Sequence, residues 1–242
     1  MMYKQHNTTT SKDEISYFLQ FHTLDAVEEE VDLGVTVDSK LKFSKHIDLK
    51  ISKANKLLGL IRHTFKFLSA ETLTTLYKSL VRPHVEYATP AWSPHLKGDR
   101  DKIEKLQRRA TKLVPELRDQ TYEERLRSLK LPTLEFRRLR ADLILIYKYT
   151  HNLIKLDTNP HCPICRHNTN MLQPSLSRSC RGHNLKFQVQ HHTSYRDRFL
   201  TSRVLNTWNK LHPQTVNAVS INSFKSKLNT DTSLPDRYAY QF

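Results

Sequence analysis

Residues 44–65 read SKHIDLKISKANKLLGLIRHTF. Ile47, Ile51, Ala54, Leu58, Ile61 and Phe65 recur at intervals of four, three, four, three and four, which puts all six on one stripe of an α-helix. Ser44 is the expected N-cap. A second helix follows over Ser69–Tyr87, capped by Ser69 and carrying Leu73, Leu76, Tyr77 and Leu80 inward. Pro83 is expected to kink or end it. After the proline-rich loop Ala88–Gly98, which holds Trp92, a third helix runs from Asp99 to Val114 with Ile103, Leu106, Ala110 and Leu113 on one face, and Pro115 closes it. Thr121-Tyr122-Glu123-Glu124 has the spacing of a capping box and opens a short helix to Leu129. Thr133 starts the longest helix, to Ile154, with Leu139, Leu143, Ile146, Leu153 and Ile154 inward.

The flanks differ. Ahead of Ser44 lie a short β-capable run, Ile15–Phe21, and a strand over Asp32–Val37 behind the acidic Glu28–Glu30; two strands alone do not make an independently stable sheet, so the second is expected to have lost its partner. Residues 155–194 hold Pro160, Pro163 and Pro174 and no sustained periodicity, and read as a linker. Ser194–Leu211 and Ser220–Leu228 return to helical pattern. The expected fold is therefore mainly α: a β-containing segment over 1–43, a helical bundle over 44–154, a linker over 155–194 and a small helical unit over 195–242.

Composition narrows the function. The 242 residues carry 39 Lys and Arg against 24 Asp and Glu, a net charge of +15. Residues 1–50 contribute −3 and residues 51–242 contribute +18. A field of that sign favours a polyanion, and nucleic acid is the commonest one. A hydrophobic share of 38% predicts a lean core. Three cysteines cannot form a fully paired disulfide framework, and Met1–Ser11 has no signal-peptide pattern, so an intracellular protein is expected, nuclear or cytoplasmic in a ribonucleoprotein, and not secreted. Apolar runs such as Leu57–Ile61 and Leu143–Tyr147 are too short to span a bilayer, and no membrane partner is expected. Four glycines, where average usage would give about 17, leave little for phosphate loops or many hairpins.

The clearest chemical signal lies on the third helix. Lys102, Lys105, Arg109 and Lys112 follow spacings of three, four and three, one position behind the apolar row, and Arg108 adds to them. Such a helix can lay cations along a phosphate backbone while its other row packs. Arg137, Arg138 and Arg140 crowd the start of the long helix, the end where the macrodipole disfavours cations, so something other than helix stability is expected to have selected them. Cys162-x2-Cys165-x14-Cys180-x2-His183 has the outer spacings of a zinc knuckle in the segment poorest in apolar residues; the opposing reading is three free thiols. No Gly-rich phosphate loop, nucleophile elbow, H-E-x-x-H helix or adjacent aspartate pair occurs, and Asp99 with Asp101 reads as a dipole complement at a helix start. Trp92 and Trp208 read as packing residues, Trp208 beside Phe199, Val204 and Leu211.

These residues resemble a known family in order along the chain. Asp32-Leu33-Gly34-Val35, His46-Ile47, Ala54-Asn55-Lys56 with Gly59, Leu76 through Pro83, Glu86-Tyr87, Trp92-Ser93-Pro94 and Gln107 through Lys112 look like the end of non-LTR (LINE-type) retrotransposon reverse transcriptases, most of all the jockey-like and chicken-repeat-type elements. The likeness continues through Leu131-Pro132-Thr133-Leu134-Glu135, Arg137 through Leu143, Arg181-Gly182-His183, Trp208-Asn209 and Phe224 through Leu228. The resemblance implies a thumb and C-terminal region of an RNA-directed DNA polymerase, with Asp32–Val35 at the end of a palm whose metal-binding aspartates have no counterpart in this chain. Without carboxylates to hold the ions, two-metal phosphoryl transfer has no seat, so no catalysis is expected. The function expected is binding of RNA or DNA, as the backbone of a template–primer duplex, gripped through Lys102, Lys105, Arg108, Arg109, Lys112, Arg137, Arg138 and Arg140. Two alternatives stand beside it: a nonfunctional product of a degenerate element, and a zinc-dependent protein-interaction module.

Overall fold

In the computed structural model, the residues described are 2–4, 17–19, 22–154, 175, 182–189 and 199–240. Among them the fold is mainly α-helical. Helix α1 covers Ser44–Thr64 and buries Ile47, Ala54, Leu58 and Ile61 of the predicted stripe. Ile51 is half-buried, and Phe65, just past the last turn, is 38% exposed. Ser44 is not the N-cap. Phe43 occupies that position in the left-handed region (φ 60°) with no side-chain cap. The Asp38 carboxylate instead orders the entry loop, taking bonds from the backbone N–H groups of Lys40, Lys42 and Phe43 at 3.0, 3.1 and 2.7 Å. The Ser44 hydroxyl donates to Asp99 Oδ2 across the bundle at 2.6 Å.

The strand ahead of α1 has its partner. Strands β4 (Glu29–Asp32) and β5 (Val35–Asp38) pair antiparallel, with Asp32 opposite Val35. The two residues between them, Leu33 (φ 46°) and Gly34 (φ 79°), both lie at positive φ, as a type I′ hairpin turn requires. The acidic run read as a lead-in is thus half of a hairpin. Lys50 Nζ donates to the Gly34 carbonyl and the Tyr87 hydroxyl to that of Leu33, both at 3.0 Å, fastening the turn to the helices. Farther toward the N-terminus, β1 (Met2–Lys4), β2 (Tyr17–Leu19) and β3 (His22–Leu24) form an antiparallel meander. Among the described residues the N-terminal segment therefore holds five short strands where one or two were expected.

Pro83 neither ends nor breaks the second helix. Ser69 caps α2 (Ala70–Leu76), accepting from Thr72 N at 3.2 Å. The chain then widens into a π-helical turn, Tyr77–Val81, and resumes as α3 (Arg82–Glu86) with Pro83 in its first turn. In a regular α-helix the Pro83 ring would press on the Ser79 carbonyl and leave it without a donor; one extra residue per turn relieves that conflict. The insertion also shifts the buried face. Leu73, Tyr77, Val81 and Val85 line the core at a spacing of four, while Leu80 is 44% exposed.

Helix α4 (Thr89–Trp92) falls within the predicted loop, and α5 covers Lys97–Thr111. The Trp92 indole donates to the Tyr87 carbonyl at 2.6 Å and its ring leans on His46. After a 3₁₀ turn at Pro115–Leu117, α6 (Tyr122–Leu129) starts in the predicted capping box, with Thr121 N to Glu124 Oε2 at 2.8 Å and Glu124 N to Thr121 Oγ1 at 3.4 Å. Helix α7 (Leu134–Thr150) is capped by Thr133, which accepts from Phe136 N at 3.1 Å. It ends before Leu153, which is 58% exposed. Helices α8 (Leu200–Trp208), α9 (Pro213–Val216) and α10 (Ile221–Leu228) follow, the last capped by Ser220.

Two apolar clusters result among the described residues. One gathers Val35, α1 to α6 and Leu134; the other gathers Leu143, Ile146 and Tyr147 with Phe187 and the side chains of α8 to α10. Helix α7 thus gives its start to one core and its end to the other, so the expected boundary after residue 154 does not separate the packing units. The Asp142 carboxylate accepts two bonds from Arg203, at 2.9 and 3.0 Å, where the clusters meet. The tail returns to the first cluster: the Arg237 carbonyl accepts from Thr133 N at 2.9 Å, and the Tyr240 hydroxyl donates to Asp101 Oδ1 at 2.6 Å. Among the described residues no helix is long and apolar enough to cross a membrane.

Candidate nucleic-acid interface

Helix α5 separates its rows as its spacing requires. Ile103, Leu106 and Ala110 are buried, whereas Lys102, Lys105, Arg109 and Lys112 are exposed. Helix α1 lies beside it in parallel. Lys102 Nζ reaches Asp48 Oδ1 at 2.9 Å, and seven residues farther along each helix Arg109 Nη1 donates to Asn55 Oδ1 at 2.6 Å. Helix α5 therefore presents Lys105, Arg109 and Lys112, and Lys56 and Arg62 of α1 are also exposed.

Lys102 is a weaker candidate than its spacing implies. It also approaches Asp99 Oδ1 at 3.2 Å, and its bonds to Asp48 and then Asp99 hold its pKa above the ordinary lysine value. Its charge is already paired with these two acids. Arg108 turns away from the row, its guanidinium 4.9 Å from the Tyr122 ring centroid and 5.2 Å from that of Tyr240. Those contacts tie α5 to α6 and to the tail.

The arginines of α7 do not join this face. Arg137 forms a two-pronged ion pair with Glu86, with Nη2 to Oε2 at 2.9 Å and Nε to Oε1. Arg140 Nη2 donates to the Lys225 carbonyl at 3.2 Å. Arg138 is buried, 5% exposed. Cations at the unfavourable end of a helix are here compensated by specific partners from α3 and α10, or drawn into the interior. Arg125 of α6 is also buried, with Nε donating to Thr111 Oγ1 at 3.0 Å.

Between the helices runs a polar network that the apolar periodicity did not announce. Glu104, fully buried, accepts from the Tyr122 hydroxyl at 2.5 Å and from Leu134 N at 3.1 Å. Gln107 accepts from the Tyr77 hydroxyl at 2.8 Å and donates to the Pro132 carbonyl at 3.0 Å. Burial raises the pKa of Glu104 against the lowering effect of Tyr122 and Arg138. The network fixes α5 against α6 and the start of α7, and so fixes the orientation of the exposed cationic row.

Of the predicted zinc ligands, Cys162, Cys165 and Cys180 lie outside the described residues. His183 is buried, its ring edge-on to Trp208, with Nε2 3.0 Å from the Trp208 carbonyl. A carbonyl only accepts, so Nε2 carries the proton and Nδ1 the lone pair. Nδ1 has no hydrogen-bond partner among the described residues. Burial, with Lys186 nearby, lowers the His183 pKa despite the Trp208 bond, favouring neutral imidazole. Among the described residues no three His, Cys, Asp or Glu side chains come together as a metal site.

The fold and this face define a mainly helical protein with an exposed row of cations on one of two helices that run side by side. Comparison with protein-family models, with curated proteins and with solved structures finds no match for the chain.

Proposed function

We propose that the chain binds nucleic acid through the face formed by α1 and α5, as the thumb-like part of a non-LTR retrotransposon reverse transcriptase, with no catalysis of its own. The observation that carries the reading is the row Lys105, Arg109 and Lys112, exposed along α5 and its last turn opposite the buried Ile103, Leu106 and Ala110. Cations held on a rigid scaffold and not spent on internal acids release counterions when phosphates replace water. The ordered likeness from Asp32-Leu33-Gly34-Val35 to Phe224-Lys225-Ser226-Lys227-Leu228 supplies the polymerase origin. The backbone of a template–primer duplex is the ligand proposed, RNA or DNA. The contacts are to phosphate, so two duplexes of unrelated sequence bind within about threefold of each other, and affinity falls steeply with salt. Fluorescence anisotropy with two such duplexes tests this; strong preference for one sequence, or indifference to salt, would refute it.

A second reading has one observation in its favour. His183 donates Nε2–H to a backbone carbonyl and keeps an unpartnered Nδ1 lone pair, the arrangement by which proteins orient a histidine toward zinc. With Cys162, Cys165 and Cys180 it would complete a zinc knuckle serving protein interaction. Metal analysis of the purified chain gives one zinc per molecule under this reading, lost on His183→Ala; absence of stoichiometric zinc removes it.

A further inference from the structure

The turn that joins α1 to α2 displays an aromatic ring among cations. Phe67 is 91% exposed, while the next residue, Leu68, is buried in the cluster that gathers α1 to α6. The turn is held at both ends. The Phe65 N–H donates to the Ile61 carbonyl at 3.0 Å as α1 closes, and Ser69 caps α2. Phe67 therefore stands on a fixed support, with a phenyl ring in water that forgoes the gain burial would bring.

The surroundings carry one sign of charge. From Leu49 to Ala70 the chain has five Lys and Arg and no Asp or Glu. Arg62, His63 and Lys66 are exposed within five residues of Phe67, and none of these side chains has a hydrogen-bond or ion-pair partner among the described residues. A lipid surface takes up a continuous apolar face. Here each exposed phenyl ring follows a polar residue, Thr64 before Phe65 and Lys66 before Phe67. A single strand of nucleic acid offers both complements together, a flat base for the ring and phosphates for the cations on either side of it. Within a duplex the faces of the bases are covered by their neighbours, so an exposed ring selects an unpaired base.

We propose that this turn binds single-stranded nucleic acid, an unpaired base stacking on the Phe67 ring while flanking phosphates meet Arg62 and Lys66. The site extends the proposed nucleic-acid binding, on which it rests, from duplex backbone to unpaired strand, through a contact that the α5 row does not provide. Preference among bases is slight, since each has a π face.

Fluorescence anisotropy of the full chain at constant ionic strength tests the site, with oligothymidylate of about twelve nucleotides and an abasic strand of the same length and charge as probes. The parent chain binds the first about fivefold or more tightly than the second. Phe67→Ala abolishes that difference, and Phe67→Leu, apolar but without a π face, abolishes most of it; neither changes the affinity for the abasic strand or for a duplex. Phe67→Trp keeps the difference, and its indole is quenched by oligothymidylate and not by the abasic strand, while Trp92 and Trp208, both buried, are unaffected. Arg62→Gln/Lys66→Gln weakens the binding of both strands. Lys105→Gln/Arg109→Gln/Lys112→Gln loses affinity for duplex and keeps the preference for bases. Equal binding of the two strands by the parent chain, or a preference that survives Phe67→Ala, overturns the site, while salt-dependent duplex binding still upholds the α5 row; binding of no strand and no duplex overturns both. Vesicles of anionic lipid that bind the parent chain and not Phe67→Ala, with oligothymidylate bound equally by both, assign the ring to a membrane and overturn the proposal as well.

Discussion

Val81→Ala and Leu80→Ala form a pair whose order of damage depends on the π-helical turn at Tyr77–Val81. Val81 is fully buried, so truncation removes two methyl groups from a packed core. The transfer loss is about 1.6 kcal/mol, and the cavity left behind brings the total to about 2–3 kcal/mol. Leu80 is 44% exposed. Its truncation gives up roughly half the burial of three carbons and gains helix propensity, for a net cost below about 1 kcal/mol. Regular α-helical phasing gives the reverse order, because Leu80 follows Leu73, Leu76 and Tyr77 on one stripe and Val81 stands beside it. Urea unfolding followed by far-ultraviolet circular dichroism measures both. If Leu80→Ala costs as much as Val81→Ala, the helix does not widen at Tyr77, and the reasoning from Pro83 fails.

Three further outcomes follow from the structure. Thr133→Ala removes the cap of α7, the helix shared by both cores, and costs about 1 kcal/mol by the same unfolding measurement; Thr133→Ser restores most of it. Burial, helped by Lys50, depresses the His46 pKa to about 4, below its unfolded value of about 6.5, so its contribution to stability is full above pH 6.5 and is lost as pH falls toward 4. The loss reaches about 3 kcal/mol, and the difference in unfolding free energy between the parent chain and His46→Gln, measured from pH 7 to pH 4, shrinks accordingly; a difference constant with pH contradicts the buried, neutral imidazole. Asp142→Asn takes the carboxylate from Arg203 where the two clusters meet and lowers stability by about 3 kcal/mol, and equal stability of parent and variant would show that the pair does not join them.

Much of the fold is legible because local chemistry and tertiary structure agree. Ser69, Thr121, Thr133 and Ser220 cap helices at the positions their neighbours predict, since a cap needs only a hydroxyl and an amide three residues on. Ser44 fails as a cap because the helix already includes it, entered through Phe43 at positive φ, and its hydroxyl bonds to Asp99 of α5. Leu33-Gly34 is a hairpin turn that a leucine at positive φ disguises, and the acidic β4 strand lacks the apolar alternation that would mark it. Both cases depend on contacts brought in by the helices. The candidate site divides in the same way. Lys105, Arg109 and Lys112 are readable from their spacing, because exposure on an amphipathic helix follows from the buried row opposite. Arg137, Arg138 and Arg140 are read as surface charge, yet their positions are set by Glu86, by the interior and by the Lys225 carbonyl. The one available signal was positional: Arg138 sits four residues after Leu134 and four before Asp142, on the side of α7 that the structure buries.

The exposed row of α5 is proposed to grip phosphate backbone. The most direct measurement is the slope of log Kobs against log salt for a duplex of about 20 base pairs, compared between the parent chain and Lys105→Gln/Arg109→Gln/Lys112→Gln. Each lost phosphate contact reduces the slope by about 0.9 on duplex DNA, so the account predicts a reduction of about 2.7 together with weaker binding at every salt concentration. An unchanged slope and affinity in a variant that keeps its helical content would contradict it.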